Sequence, residues 1–239
     1  MTESVRFEPK QTVVIPGSNQ SPFDLRIVTS DRDRRDVFAL RLRAYEQFMP
    51  PEQVSSVNEY RDGFDDLPTT LLMGAYDGDK LVGAMRLCFS PPWESLATLP
   101  CGPYYPALRQ LKRTAKGSLM EVSRFSIHTA LSNTSYRTTL YASLVRASLM
   151  AAEAADVAKI LIGTRPDWVR FYKYMLGFEV IGEPALYPPG DIKIAMLAGS
   201  LAQAQARQRM QNAFFRITPA EIASLRRMLR PMLERVEAA

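Results

Sequence analysis

The chain has 239 residues, 46% hydrophobic and 23% charged, enough apolar material for one substantial core with an appendage at most. Its 30 Lys and Arg against 25 Asp and Glu leave a net charge of +5, which suits an acidic partner but is too weak to argue for nucleic acid. Two cysteines, Cys88 and Cys101, and one histidine, His128, are too few for the usual Cys/His metal cages or a disulfide framework, so neither a metal nor a disulfide is expected. No run approaches the roughly 18 apolar residues of a transmembrane segment, and the amino terminus lacks a secretory apolar block. A cytoplasmic protein is expected.

Residues 1–24 are polar and proline-containing and read as an extended segment. A short strand at 25–29 leads to a helix capped by Ser30 with Asp33 three residues on, whose stripe of Val37, Leu40 and Ala44 also contains Arg41. A cation on the buried side of a helix calls for a partner. The following stretch to Pro68 has loop composition and carries Asp62, Asp65 and Asp66. Two β-like runs at 70–77 and 80–89 flank Asp77-Gly78-Asp79, a strong hairpin signal. A proline-rich connection with a short helix near 106–113 then precedes a strand at 118–127.

From there the pattern alternates: a helix over 135–155, a strand over 158–164, a helix over 166–176 ended by Gly177, and two further strands. Past residue 201 comes a second helical pair. Thr218, Pro219 and Glu221 form a capping box, and Ile222, Leu225, Leu229, Met232 and Val236 make one apolar face, with Pro231 expected to bend the helix. That face packs on its own domain or serves a partner or a homodimer.

The strand "LMEVSRFSI" poses the functional question, because Glu121, Ser123 and Arg124 interrupt an apolar alternation. Period-two geometry puts Glu121 and Ser123 on one face and Arg124 on the other. Buried charges must pair, so these residues with Arg41, Asp62, Asp65 and Arg86 form either an ion-pair network fixing a loop to the sheet or a site in which Glu121 is a proton acceptor. His128 reads as an ordinary surface residue and the cysteines as buried ones. Trp93, Tyr104 and Tyr105 read as loop packing, or else as the lining of an apolar channel.

The element order resembles the GCN5-related N-acyltransferase fold, and "RFYKYMLGFEVIGEP" is similar to a helix-to-strand segment common in that superfamily. The set "VFALRLRAY", "DGFD", "VGAMRL" and "EVSRF" resembles the acyl-homoserine-lactone synthases and their relatives, the FeeM-type N-acyl amino acid synthases. The resemblance implies an α/β fold with a central mixed, twisted sheet flanked by helices: an acyltransferase domain over 25–200 after the segment 1–24, and a helical extension over 201–239. It also implies transfer of a long-chain acyl group to the amino group of a free amino acid. Glu121 would be the base, through water, with Ser123 beside it, while Arg41, Tyr45, Asp62, Asp65, Arg86, Arg124 and Phe125 surround the acceptor. Backbone amides near Ser126 to His128 would hold the oxyanion.

The implied donor is an acyl carrier protein, whose phosphopantetheine thioester enters a split between central strands. Arg137, Arg146, Arg170 and Lys173 would form its docking face, unless they are ordinary solvated cations. The superfamily's phosphate loop would fall at "RTTLYA", where Leu140 replaces a glycine, which disfavours acyl-CoA. Met49, Pro50, Pro51 and "RLCFSPPWESL" depart from the homoserine-lactone synthases, leaving those enzymes and a non-catalytic binding module as the alternatives.

Overall fold

The Asp77-Gly78-Asp79 turn forms as its sequence dictates: Gly78 takes φ +59°, and β3 (Thr70–Asp77) folds back antiparallel on β4 (Lys80–Ser90). The computed structural model describes residues 13–14, 21–49, 59–129, 133–187, 192–211 and 213–237. Most of the expected N-terminal segment, Pro50 and Pro51 therefore lie outside the described residues, as do the side chains of Pro231, Met232 and Val236.

Around this hairpin, β1 (Val13–Val14) and β2 (Asp24–Ile27) extend one side of the sheet. On the other side lie β5 (Ser118–Ile127), β6 (Val157–Thr164), β9 (Ile192–Gly199) and β7 (Glu179–Val180), with β8 (Ala185–Tyr187) paired to β9. Among the described residues every pairing is antiparallel except β5 with β6. A parallel pair needs a crossover, and α3 (Thr134–Ala154) supplies it, capped by the Asn133 side chain. The sheet is thus mixed, with the β5–β6 parallel pair near its centre.

Helices cover both faces. On one side α3, α4 (Val169–Leu176), α5 (Leu201–Gln211) and α6 (Pro219–Glu237) share the main core with strand residues such as Met85, Leu87 and Met120. On the other, α1 (Asp31–Tyr45) packs Val37, Phe38 and Leu40 on Leu72 and Ala84. The connection containing α2 (Ala107–Thr114) packs Leu99, Cys101, Tyr105 and Leu108 beside it on Cys88, Leu119, Leu161 and Met196.

The C-terminal helices are integral to this core. Ile222, Leu225 and Leu229 are buried with α3, so this part of the apolar face packs on the chain's own domain, the first of the two uses its pattern allowed. Arg146, expected on a docking face, is 1% exposed: it bonds Glu221 at 2.6 Å and the Phe214 and Arg216 carbonyls, tying α3 to α6. Leu140 also has a different place. It is fully buried in the second turn of α3 against Gly83, so its replacing a glycine says nothing about a phosphate.

Candidate active site

A break in the sheet creates the site. The β5–β6 ladder ends at Val122 with Ile162, although both strands continue beyond it. Against β4 the register jumps from Arg86 with Ser123 to Ala84 with Ser126, so Arg124 and Phe125 face the single residue Met85. This is a β-bulge. Arg124 adopts φ +52°, a left-handed conformation that a non-glycine residue holds only where its surroundings demand it.

The bulge corrects the face assignment made from alternation. Arg124 is turned to the side of Ser123, where its Nη2 donates to Asp62 Oδ2 at 2.8 Å. Its guanidinium lies 4.9 Å from the Tyr60 ring centroid, 5.7 Å from Tyr187 and 6.0 Å from Tyr45. The Tyr45 hydroxyl in turn donates to the Phe125 carbonyl at 3.4 Å.

Two cavities open at the split and share Tyr45, Ser123, Arg124 and Gly163 in their walls. The first lies toward α3 and α4 and is also lined by Phe125, Tyr141 and Tyr172. The second adds Phe48, Glu121, Tyr187, Ile194 and Met196. Burial pushes the Tyr141 and Tyr172 phenols up, so both stay protonated at the first cavity.

Beneath the cavities lies an ion-pair network. Arg41 bonds Asp65 bidentately, at 2.8 and 3.1 Å, with both side chains buried. Arg86 Nη1 reaches Asp62 at 2.5 Å and Asp65 at 3.1 Å, and Arg86 Nε donates to the Ser123 hydroxyl. Asp62 and Asp65 also form a capping box around the 3-10 helix Gly63–Asp66. Burial alone would raise these carboxyls, but Arg86 and Arg124 hold Asp62 at about 2, and Arg41 holds Asp65 below its ordinary value. Arg41 and Arg86 are therefore engaged in fixing this segment to the sheet, and Arg124 is the network cation that lines the cavities.

Glu121 is in a different environment. It is 1% exposed; its Oε2 accepts from the Cys101 amide at 2.8 Å, and its Oε1 accepts from the Tyr187 hydroxyl at 3.5 Å. Desolvation raises its pKa, and the opposing Cys101 hydrogen bonds and the Arg86 and Arg124 charges do not cancel that rise. Burial pushes the Cys88 thiol up to about 12 and the Cys101 thiol well above its ordinary range, so neither is a ready thiolate.

Other expected residues fall elsewhere. The His128 amide donates to the Val82 carbonyl, and Ser126 and Ile127 pair with Ala84 and Gly83, so the amides expected to hold an oxyanion lie in the paired part of the strand. Arg137 and Arg170 are exposed, while Lys173 is paired with Glu179 at 2.9 Å. Trp93 is exposed, Tyr105 is buried with its hydroxyl on the Ile194 carbonyl, and Tyr104 packs on Tyr187. Sequence reasoning missed Gly163, Tyr141, Tyr172 and Tyr187 as cavity residues. Tyr172 lay in a quoted motif, whereas Tyr187 sits on a three-residue strand with no sequence signature.

The profile of N-acyl amino acid synthase FeeM matches residues 36–200, well over half of the chain. The chain belongs to the FeeM family of N-acyl amino acid synthases. It is an N-acyltransferase with the GCN5-related fold. FeeM itself, an N-acyl amino acid synthase from uncultured soil microbes, superposes with a TM-score of 0.61 at 20% identity, covering 78% of this chain and 94% of that one. The homoserine-lactone synthase LasI superposes at 0.54 with 13% identity, over 75% of this chain and 90% of LasI. TofI, solved with an inhibitor and MTA, gives 0.52 at 19% identity over 82% and 95%. No curated protein matches the sequence. The family match covers Arg41, the Asp62–Asp65 segment, Arg86, Glu121, Arg124 and Tyr187.

Proposed function

We propose that this FeeM-family enzyme moves a long-chain acyl group from an acyl carrier protein thioester to the amino group of a free amino acid, with Glu121 as general base. The observation that carries the reading is a buried carboxylate of raised pKa at a cavity that meets a second cavity across the split between β5 and β6. A base of this kind holds a proton at the moment of attack more readily than a solvated glutamate. The thioester arm occupies the α3–α4 cavity and the amino acid occupies the Glu121 cavity, its carboxylate received by Arg124.

The amine nitrogen attacks the thioester carbon as its proton passes to Glu121. The tetrahedral oxyanion forms beside residues 124–125, which the ladder pairs with β4 skip. Collapse breaks the C–S bond, and the departing thiolate takes the surplus proton left on the attacking nitrogen, in the cavity walled by Tyr141 and Tyr172, so one proton of the acceptor's ammonium ends on Glu121 and one on the thiol. No covalent enzyme intermediate is required, consistent with the two masked thiols.

The test is mass spectrometry of lipid extracts from cells overproducing the wild type, the Glu121→Gln variant or an empty vector. N-acyl amino acids that appear with the wild type alone support the reading and identify acceptor and chain length. Acyl lactones, or the same products from the variant, contradict it.

A further inference from the structure

Glu121 poses a transport problem that the proposed reaction does not by itself solve. The carboxylate is almost entirely shielded, and its Oε2 is committed to the Cys101 amide. Its other oxygen faces the Tyr187 hydroxyl. Cys101 is fully buried in the packed connection, whereas Tyr187 lines the same cavity as Glu121 and Arg124. Among the hydrogen-bond partners that the described residues give Glu121, Tyr187 is the one with access to a molecule in that cavity.

We infer that Tyr187 carries the proton from the acceptor amine to Glu121, in place of a water molecule. This inference rests on Glu121 being the base. In the step, one N–H bond of the acceptor's ammonium breaks as the Tyr187 oxygen accepts the proton, and the amine so formed is the nucleophile. The Tyr187 O–H bond breaks as Glu121 Oε1 accepts the phenolic proton, and the nitrogen keeps the electron pair that becomes its bond to the acyl carbon. Tyr187 ends neutral, having given one proton and gained one, and Glu121 ends as the carboxylic acid.

The surroundings suit a relay better than a separate base. Burial and the Glu121 charge push the Tyr187 phenol up, beyond the reach of the opposing Arg124 and Arg86 charges. A phenol of that kind does not ionise alone at neutral pH, and it passes a proton only if it receives another at the same time. The groups facing it are Glu121 and Arg124 from β5, Arg86 from β4, Cys101 from the connection before α2, and the Tyr104 ring at 5.2 Å. The 3.5 Å separation from Glu121 is at the long end for a hydrogen bond, as catalytic contacts often are before substrate binds. Tyr187 is held from the other side by the strand pairing of β8, in which it faces Ile192.

The decisive experiment compares Tyr187→Phe and Glu121→Gln with the wild type. Single-turnover rates are measured in H2O and D2O with hexadecanoyl-loaded acyl carrier protein and a mixture of the proteinogenic amino acids. Melting temperatures are measured alongside. The relay predicts that Tyr187→Phe retains its fold and its acceptor KM but loses roughly 100-fold or more in rate. It also predicts a solvent isotope effect in the wild type larger than in the variant. A Tyr187→Phe rate equal to wild type beside an inactive Glu121→Gln overturns the relay and leaves the base intact. A loss confined to acceptor KM overturns it also, by making Tyr187 a binding residue. Full activity in Glu121→Gln removes the base itself. Should Tyr187→Phe fail to fold, the wild-type isotope effect decides, and its absence overturns the relay.

Discussion

Asp62 and Glu121 are both carboxylates withdrawn from water in the same part of the molecule, yet their surroundings drive them in opposite directions. Asp62 meets two guanidinium groups, from Arg86 and Arg124, and is held at about 2. Glu121 meets an amide and a phenol, and desolvation raises it. The acid with full ionic partners fastens a segment to the sheet; the acid with neutral hydrogen-bond partners is the one whose pKa is raised, as the proposed reaction requires of its base. In the proposed reaction, the division between holding and reacting within one charged motif set follows from which partners each carboxylate meets.

The comparison is broken most directly by removing each carboxylate in turn. Glu121→Gln should lower the single-turnover rate by about 10²–10⁴-fold without lowering the melting temperature, since a neutral amide costs less to bury than a carboxylate. Asp65→Asn should do the reverse in kind: it leaves Arg41 buried without its bidentate partner, and chemical denaturation should show a loss of about 3–5 kcal/mol. If the two variants gave the same phenotype, the distinction between holding and reacting would not stand.

The split can be tested in the same spirit. Gly163 lines both cavities, and a Cβ there would lie 3.2 Å from Ile194 Cγ2 and 3.3 Å from Met196 Cε. Gly163→Val should reduce turnover about tenfold or more by narrowing the junction, with a small change in melting temperature. Unaltered kinetics would show that substrates do not meet there.

The smallest effect is on acid stability. The folded pKa of Asp62 lies below its ordinary value of 3.8, so its contribution is present above that value and is lost as pH falls from about 4 toward about 2. Asp65 acts in the same direction. The raised pKa of Glu121 acts in the opposite sense: its contribution is present below its unfolded value of 4.5 and is lost as pH rises through the folded pKa. The melting temperature of the wild type should therefore decline below pH 4, and that of Asp62→Asn, lower at neutral pH, should decline less steeply. Parallel curves would remove Asp62 as an electrostatic anchor.

Much of this was legible in the chain. The Ser30 cap, the Asp-Gly hairpin and β5 at 118–127 were found where local chemistry placed them, because a cap, a turn and a strand each depend on neighbouring residues. The pairing of Arg41 was foreshadowed by its position on an apolar stripe. Arg124 was placed on the wrong face because a bulge is a property of two strands together, and an arginine at φ +52° carries no signal of its own. Arg146 was misread as a surface cation because Glu221, the acid that buries it, lies 75 residues away. Tyr187 was missed for the same reason, since only the pairing of β8 with β9 brings it to Glu121.

The central claim, that Glu121 is the reacting carboxylate, is tested most directly by the pH dependence of the single-turnover rate for wild type and Glu121→Gln. The wild-type rate should rise with pH through a midpoint above 4.5, and the variant should lack that rise while remaining folded. The same midpoint in both proteins would assign the titration to another group and contradict the account.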